Sequence, residues 1–220
     1  KYHDQGLKSV MLTFDMPPKA VIKQEYDCVI YTKEERKRIL EQTPLHYLVE
    51  YPFTPEFSRL TPEEFVRDIL VGKIGAKRVV VGDDFHFGYK RSGNVEILKE
   101  LSNKYGYELT VIPKLQDFGE DVSSSRIRKC LSEGNMEEAN RLLGIPQFTV
   151  YGEVVYGRQL GSSVLDMPTA NQILPANKYL PPNGVYVARI IYNGKTYYGI
   201  SNIGVKPTVD DHFEKGLETY

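Results

Sequence analysis

The sequence has no tryptophan, two cysteines and four histidines. Cys28 and Cys130 stand far apart with no CxxC spacing, which argues against a disulfide framework and against a cysteine-based zinc site. His3, His46, His86 and His212 are scattered, and no HExxH pair exists. Neither sign of charge is in excess: 28 Lys+Arg against 29 Asp+Glu leave a formal net charge of −1. Nucleic-acid binders normally carry a basic surplus, so that partner class is not expected. No apolar run approaches the roughly 18–20 residues that span a bilayer, so neither a membrane partner nor a membrane location is expected, and the default compartment is the cytoplasm. Internal repeats and low-complexity segments are missing too. What remains is ordinary for a folded chain: 220 residues, 41% hydrophobic and 26% charged, enough for one large domain or two small ones.

The chain starts at Lys1 without a methionine, and its last residues, LETY, read as the middle of a strand. A fragment open at both ends is the expectation, and with it little activity from the fragment alone.

Two halves differ in period. In the first, strand and helix signals alternate. Ser9 to Phe14 reads as a strand. Thr32-Lys33-Glu34-Glu35 and Thr61-Pro62-Glu63-Glu64 are capping-box patterns, the second with proline where its missing N–H costs nothing. Arg78-Val79-Val80-Val81 suits a buried parallel strand. Val95, Leu98 and Leu101 mark a helix that Gly106 stops, and Glu108 to Ile112 is a further strand. Helices are expected from Ser124 to Leu131 and from Asn135 to Leu143. This alternation predicts a wound, parallel α/β sheet. Around Gly144-Ile145-Pro146 helical periodicity ends. Val150 to Tyr156 reads as a strand, and Val185 to Tyr192, Asn193-Gly194 and Lys195 to Ser201 form a hairpin signal, since Asn-Gly tolerates a type I′ turn. The second half therefore predicts an antiparallel β module closing as a barrel, with the boundary near residue 146.

Several stretches carry chemistry. Gly82-Asp83-Asp84-Phe85-His86-Phe87-Gly88 follows the valine strand, and ligands of wound sheets collect beyond the carboxyl ends of strands. The glycine admits close backbone approach and two aromatics can pack on a planar ring; the same stretch also reads as a plain loop with its phenylalanines in the core. Ser123, Ser124 and Ser125 open a helix, with Arg128 one turn in. Hydroxyls and free amides there suit an anion, although a serine cap with solvated arginines reads equally well. Gly157 and Gly161 make a flexible flap. Thr169 and Asn171 offer neutral oxygens of the kind that orient phosphate or Mg²⁺, or else lie in ordinary turns. Asp15, at a strand end before Met16-Pro17-Pro18, reads best as a turn aspartate.

Taken together, LTFDMPP, YPFTPEFSRLTPEEFV, VGDDFHFG, VSSSRIR, GRQLG, MPTAN, PNGVY and SNIGVKPTV stand in the order of segments in the bacterial bifunctional riboflavin kinase/FAD synthetase family, which the chain resembles over nearly its whole length. The resemblance implies a Rossmann-like FMN adenylyltransferase (nucleotidyltransferase) domain over 1–145, lacking its first part. It further implies an incomplete antiparallel β-barrel riboflavin kinase domain over 147–220. The activities implied are ATP-dependent phosphorylation of riboflavin to FMN and adenylylation of FMN to FAD, with Mg²⁺ as cofactor and riboflavin, FMN and ATP as the small-molecule partners. By the same resemblance, Ser123, Ser124, Ser125 and Arg128 match the phosphate-binding SSTxIR motif, Arg128 being the expected catalytic group. Gly82, Asp84, Phe85 and Phe87 match the GxDFxFG motif beside flavin and nucleotide. Gly157 and Gly161 match the kinase's glycine-rich ATP flap, and Thr169 and Asn171 its PTAN metal and phosphate motif. The family's HxGH motif is expected before Lys1 and the kinase's catalytic glutamate beyond Tyr220. The segment from Gly161 to Pro168 is one residue longer than the family's and brings in Asp166, repulsive near phosphates unless a cation intervenes. Two other readings stay open: an FAD synthetase with a decayed β module, and a flavin- or nucleotide-binding module without catalysis.

Overall fold

A computed structural model of the chain describes residues 6–24, 28–155, 169–207 and 213–220. In chain order its elements are β1 (Val10–Phe14), α1 (Pro18–Lys23), α2 (Lys33–Glu41), β2 (Tyr47–Tyr51), α3 (Pro62–Glu64, continuing with wider turns over Phe65–Lys73), β3 (Arg78–Gly82), α4 (Val95–Tyr105) and β4 (Glu108–Ile112). They are followed by β5 (Gln116–Asp117), β6 (Glu120–Asp121), α5 (Ser124–Ser132), α6 (Met136–Leu143), β7 (Val154–Val155), β8 (Ala170–Gln172), β9 (Gly184–Tyr192), β10 (Lys195–Pro207) and β11 (Phe213–Thr219). Contacts group them into two compact units, residues 1–27 with 44–122, and residues 28–43 with 123–220. Helices α2, α5 and α6 thus fall in one unit with the antiparallel sheet, although the sequence period changes only near residue 146. Among the described residues no helix is long and apolar enough to cross a membrane.

The first unit is built on parallel pairing. β1 pairs with β2, Val10 opposite Tyr47, and β3 with β4, Val79 opposite Leu109. The strands form two ladders instead of one continuous sheet, and a shared apolar core joins them. Phe65, Val66, Ile69 and Leu70 of α3, Val79 of β3 and Leu98 and Leu101 of α4 are its buried members, with Leu12 of β1 and Tyr51 of β2 packed against it. The helix starts follow from their caps. Thr61 Oγ1 accepts the Glu64 N–H at 3.2 Å while the Glu64 carboxylate accepts the Thr61 N–H at 2.8 Å. Asn94 Oδ1 accepts the Ile97 N–H at 3.0 Å, and Gly106, at φ 70°, ends α4.

In the second unit the sheet order is β7-β8-β11-β10-β9, all antiparallel. Its outer strands β7 and β9 do not pair with each other, so among the described residues the barrel is open. Asn193 and Gly194 take φ 49° and 74°, the I′ turn expected for β9–β10. Of the strand expected over Val150 to Tyr156, the described residues hold Val154–Val155, while Tyr156 lies outside them; the Tyr151 N–H is donated to Glu35 Oε1 at 3.1 Å instead of to a ladder partner. Glu35, in α2, is 1% exposed, and so is nearly Lys178, at 3%. The Lys178 ammonium donates to Glu35 Oε2 (2.6 Å), Ile30 O (2.7 Å) and Thr149 O (2.6 Å) and lies 4.7 Å from the Phe148 ring centre. Burial pulls this ammonium below its usual range, and the Glu35 carboxylate offsets only part of that fall.

Candidate functional site

At the carboxyl ends of β3 and β4 lies an open hollow of about 730 Å³ lined by Asp83, Asp84, Pro113, Lys114, Gln116 and Asp121. This is where a wound sheet leaves room for a ligand, since the chain turns away beyond each strand. Gly82 closes β3, and the Asp83 N–H donates to Ile112 O at 3.0 Å, tying the two strand ends together. Lys114 Nζ stands 3.1 Å from Asp121 and 3.4 Å from Asp84. Its hydrogen bond to Asp121, then that carboxylate's charge, holds the ammonium above the usual lysine range.

The motif from Gly82 to Gly88 splits into two roles. Gly82, Asp83 and Asp84 face or border the hollow. Phe87 is 7% exposed, a member of the core, with its ring 5.5 Å from Phe65. Phe85 is half-buried and stacks on Phe87 at 5.5 Å and 17°. Gly88 has φ 71°, and a Cβ there would come within 2.8 Å of the Pro62 nitrogen, so only glycine fits beside the start of α3. Phe87 and Gly88 therefore shape the loop that presents Gly82 and Asp84. Asp15 is a turn residue: its Oδ1 accepts the Met16 N–H at 2.7 Å and the Phe53 N–H at 3.0 Å.

The serine turn lies in the second unit. Ser123 is the N-cap of α5 and its hydroxyl accepts the Arg126 N–H at 3.2 Å. Ser124 and Ser125, in the first helical turn, are exposed, and among the described residues their hydroxyls and amides have no hydrogen-bond partner. Arg128 is half-buried and also without an ion-pair partner among the described residues. It stands three and four residues after these serines, which places all three on one helix face. Arg126, by contrast, is bound to Glu138 at 3.0 Å, and Glu138 binds Arg141 at 2.7 Å. Of the two arginines of the motif, one fastens α5 to α6 and the other is available. Unused donors and a guanidinium at the positive end of a helix are an anion-binding arrangement.

A third cluster lies on the sheet. Asn171, buried at 6%, extends its Nδ2 to Thr169 Oγ1 at 3.3 Å. Register places Asn171 opposite Glu218, and Glu218 opposite Asn202, so the three share one face across β8, β11 and β10. That Glu218 and Asn202 lie beside Asn171 is not legible in the sequence, which does not show which strands pair. Among the described residues no three His, Cys, Asp or Glu side chains gather as a metal cage. One carboxylate with neutral oxygens fits Mg²⁺, which keeps waters and shares its shell with phosphates. Gly157, Gly161 and Asp166 lie outside the described residues.

The family model described as FAD synthetase matches residues 1–126, and that described as riboflavin kinase matches residues 145–220. The chain is similar to the bifunctional riboflavin kinase/FMN adenylyltransferase of Buchnera aphidicola subsp. Acyrthosiphon pisum, 35% identical over 217 residues, covering 97% of this chain and 68% of that one. The enzyme of the same description from Listeria monocytogenes is 32% identical over 218 residues, covering 98% and 68%, and that from Escherichia coli K12 is 35% identical over 177 residues, covering 80% and 55%. The chain thus spans between 55% and 68% of the length of these three relatives. A crystal structure described as a macrolide-efflux protein from Streptococcus pneumoniae has a TM-score of 0.83 at 31% identity, covering 99% of this chain and 70% of that one. Two consecutive family models, and relatives of one description that align across both, give a single answer: this chain belongs to the bifunctional riboflavin kinase/FMN adenylyltransferase family.

Proposed function

We propose that the protein makes flavin cofactors in two steps. Residues 1–145 serve the adenylylation of FMN and residues 147–220 the phosphorylation of riboflavin, with ATP as co-substrate of both and the cytoplasm as their place. In adenylylation an FMN phosphate oxygen attacks the α-phosphorus of ATP, the α–β phosphoanhydride bond breaks, and pyrophosphate leaves. The protein's part is positioning and charge neutralisation. The Ser124 and Ser125 amides and hydroxyls and the Arg128 guanidinium hold the departing phosphates. Gly82 and Asp84 border the flavin and nucleotide, with Phe85 and Phe87 behind them.

In phosphorylation the terminal ribityl hydroxyl of riboflavin attacks the γ-phosphorus and ADP leaves. In place of the catalytic glutamate expected beyond Tyr220, Glu218, which by register shares a sheet face with Asn171, is our candidate base for that hydroxyl proton. Mg²⁺ would be held by the Thr169 hydroxyl and the Asn171 amide oxygen, and when bound it would neutralise phosphate charge. Gly157 and Gly161 are proposed to border the ATP phosphates.

The observation that carries the reading is the half-buried, unengaged Arg128 on the face of Ser124 and Ser125. The test is Arg128→Ala in the full gene product, with FMN→FAD and riboflavin→FMN assayed separately. FAD formation should fall about ten- to a hundredfold, the range for a hydrogen bond to a charged group of about 1.5–3 kcal/mol. Riboflavin phosphorylation should be unchanged. Unaltered FAD formation would remove Arg128 from the site. Thr169→Ala should do the converse, and equal loss of both activities in either variant would contradict separate sites.

A further inference from the structure

The turn that follows the Gly82–Gly88 motif is strained. Lys90 and Arg91 are consecutive left-handed residues, at φ 50° and 60°. The Cβ of an ordinary residue crowds the backbone in that conformation, and glycine or asparagine would hold it with less strain. The turn keeps its shape because it is tied from outside. Phe87 and Gly93 exchange two backbone hydrogen bonds, at 3.1 and 2.9 Å, and the Tyr89 N–H donates to Leu60 O at 2.7 Å. Backbone strain of this kind clusters at ligand clamps and active sites.

The side chains on this turn are cations. Lys90 and Arg91 are exposed, and among the described residues no carboxylate pairs with either; the Lys90 ammonium lies 5.2 Å from the Tyr89 ring centre. Arg59 directly precedes Leu60, so the Tyr89 hydrogen bond brings a third exposed cation to the turn. Glu56 senses the charge of Arg59 but forms no ion pair with it. The connections that carry these residues, from β2 to α3 and from β3 to α4, both leave carboxyl ends of parallel strands, where ligands of wound sheets collect. The hollow at the ends of β3 and β4 is ill suited to a phosphate. It sets Asp83, Asp84 and Asp121 against the single ammonium of Lys114, which two of these carboxylates already hold. FMN and ATP nevertheless both bring phosphate. We infer that the Tyr89–Arg91 turn is a phosphate-binding element, with Arg91 its principal contact and a phosphate of FMN or of ATP its ligand, an assignment that rests on the adenylylation reading. A guanidinium can give a phosphate two parallel N–H bonds, and a turn fixed beforehand spares the ligand the cost of ordering it.

Arg91→Asn in the full gene product tests this, because asparagine tolerates the left-handed backbone and removes the charge. The variant should melt no lower than the wild type, while in FAD formation the KM for one substrate should rise roughly tenfold, the low end for a lost hydrogen bond to a charged group. A rise for FMN assigns the phosphate of the flavin, and a rise for ATP that of the nucleotide. Arg91→Lys, which keeps the charge, should recover part of the wild-type KM, and riboflavin phosphorylation should be unaltered in both variants. Unchanged KM values for both substrates would overturn the role of Arg91 and leave adenylylation standing. A rise accompanied by a lower melting temperature, by a matching loss of riboflavin phosphorylation, or by a lysine variant no better than asparagine would overturn it as a distorted loop. Failure of the wild-type protein to form FAD would overturn the adenylylation reading and this inference with it.

Discussion

Lys178 and Arg128 are two cations of the same compact unit, and they are treated in opposite ways. Lys178 is 3% exposed and its ammonium has three oxygens at 2.6–2.7 Å, so its donors are used up. Arg128 is half-buried and has no ion-pair partner among the described residues. A buried charge must be saturated, because desolvation is costly and only close partners offset it. A cation meant for a ligand must keep its donors unspent until the ligand arrives. The first pattern is that of architecture, and the second is what our proposed phosphate site requires. Arg126, fastened to Glu138, belongs with Lys178, although it lies only two residues from Arg128.

The sharpest break in this comparison comes from Lys178→Met. It leaves the Glu35 carboxylate buried without its cation and should cost about 3–5 kcal/mol in a urea titration. Arg128→Ala should stay within about 0.5 kcal/mol of wild type in the same titration. Equal losses would erase the distinction. Next in size, Glu218→Gln should slow riboflavin phosphorylation about a hundredfold, the low end of what a positioned base supplies, with FAD formation from supplied FMN unaltered. A kinase rate near wild type would exclude Glu218 as the base.

A smaller effect sharpens the contrast between neighbouring arginines. Arg126→Ala should lower stability by about 1 kcal/mol, since its ion pair is partly buried, and should alter FAD formation by no more than about twofold. A large drop in FAD formation with stability intact would put Arg126 in the site. The smallest effect concerns pH. Burial pushes the Tyr107 hydroxyl from 10.0 up to about 12, and burial followed by the nearby Glu35 does the same for Tyr31. The folded protein therefore keeps protons that the unfolded chain has released. That contribution is fully present below pH 10 and is lost as pH rises through about 12. Tyr107→Phe gives up a hydrogen bond to Leu98 O at 2.6 Å, about 1 kcal/mol near neutrality, but its urea midpoint should fall less between about pH 8 and pH 11 than that of the parent. Parallel declines would mean that Tyr107 ionises as freely folded as unfolded.

Much of the local structure was legible from residue order. Capping boxes at Thr32 and Thr61, the Asn193-Gly194 turn and the helix stop at Gly106 all stand where the sequence puts them, because each depends on atoms a few residues apart; the valine strand before Gly82 also forms, but it is not buried on both faces as expected, since Val80 is 54% exposed. Ser123, Ser124, Ser125 and Arg128 were legible for the same reason, since a helix start and the face one turn along it are local. The partition of the Gly82–Gly88 motif was not. Sequence alone cannot tell a phenylalanine that faces a ligand from one that fills the core, and Phe87 joins the core against Phe65. Nor could it show that the Tyr151 N–H leaves the expected strand, because its acceptor, Glu35, sits 116 residues away in α2.

The amino-acid sequence by itself determined the kinds of elements, their caps and turns, and the family motifs, since these are written in neighbouring residues and short-range sterics. Only the tertiary structure decided which distant residues meet: Lys178 with Glu35 across 143 positions, and Asn171 with Glu218 and Asn202 on one sheet face. Such meetings depend on strand order and register. Those are fixed by how all the apolar faces are buried together, and no single segment carries that information.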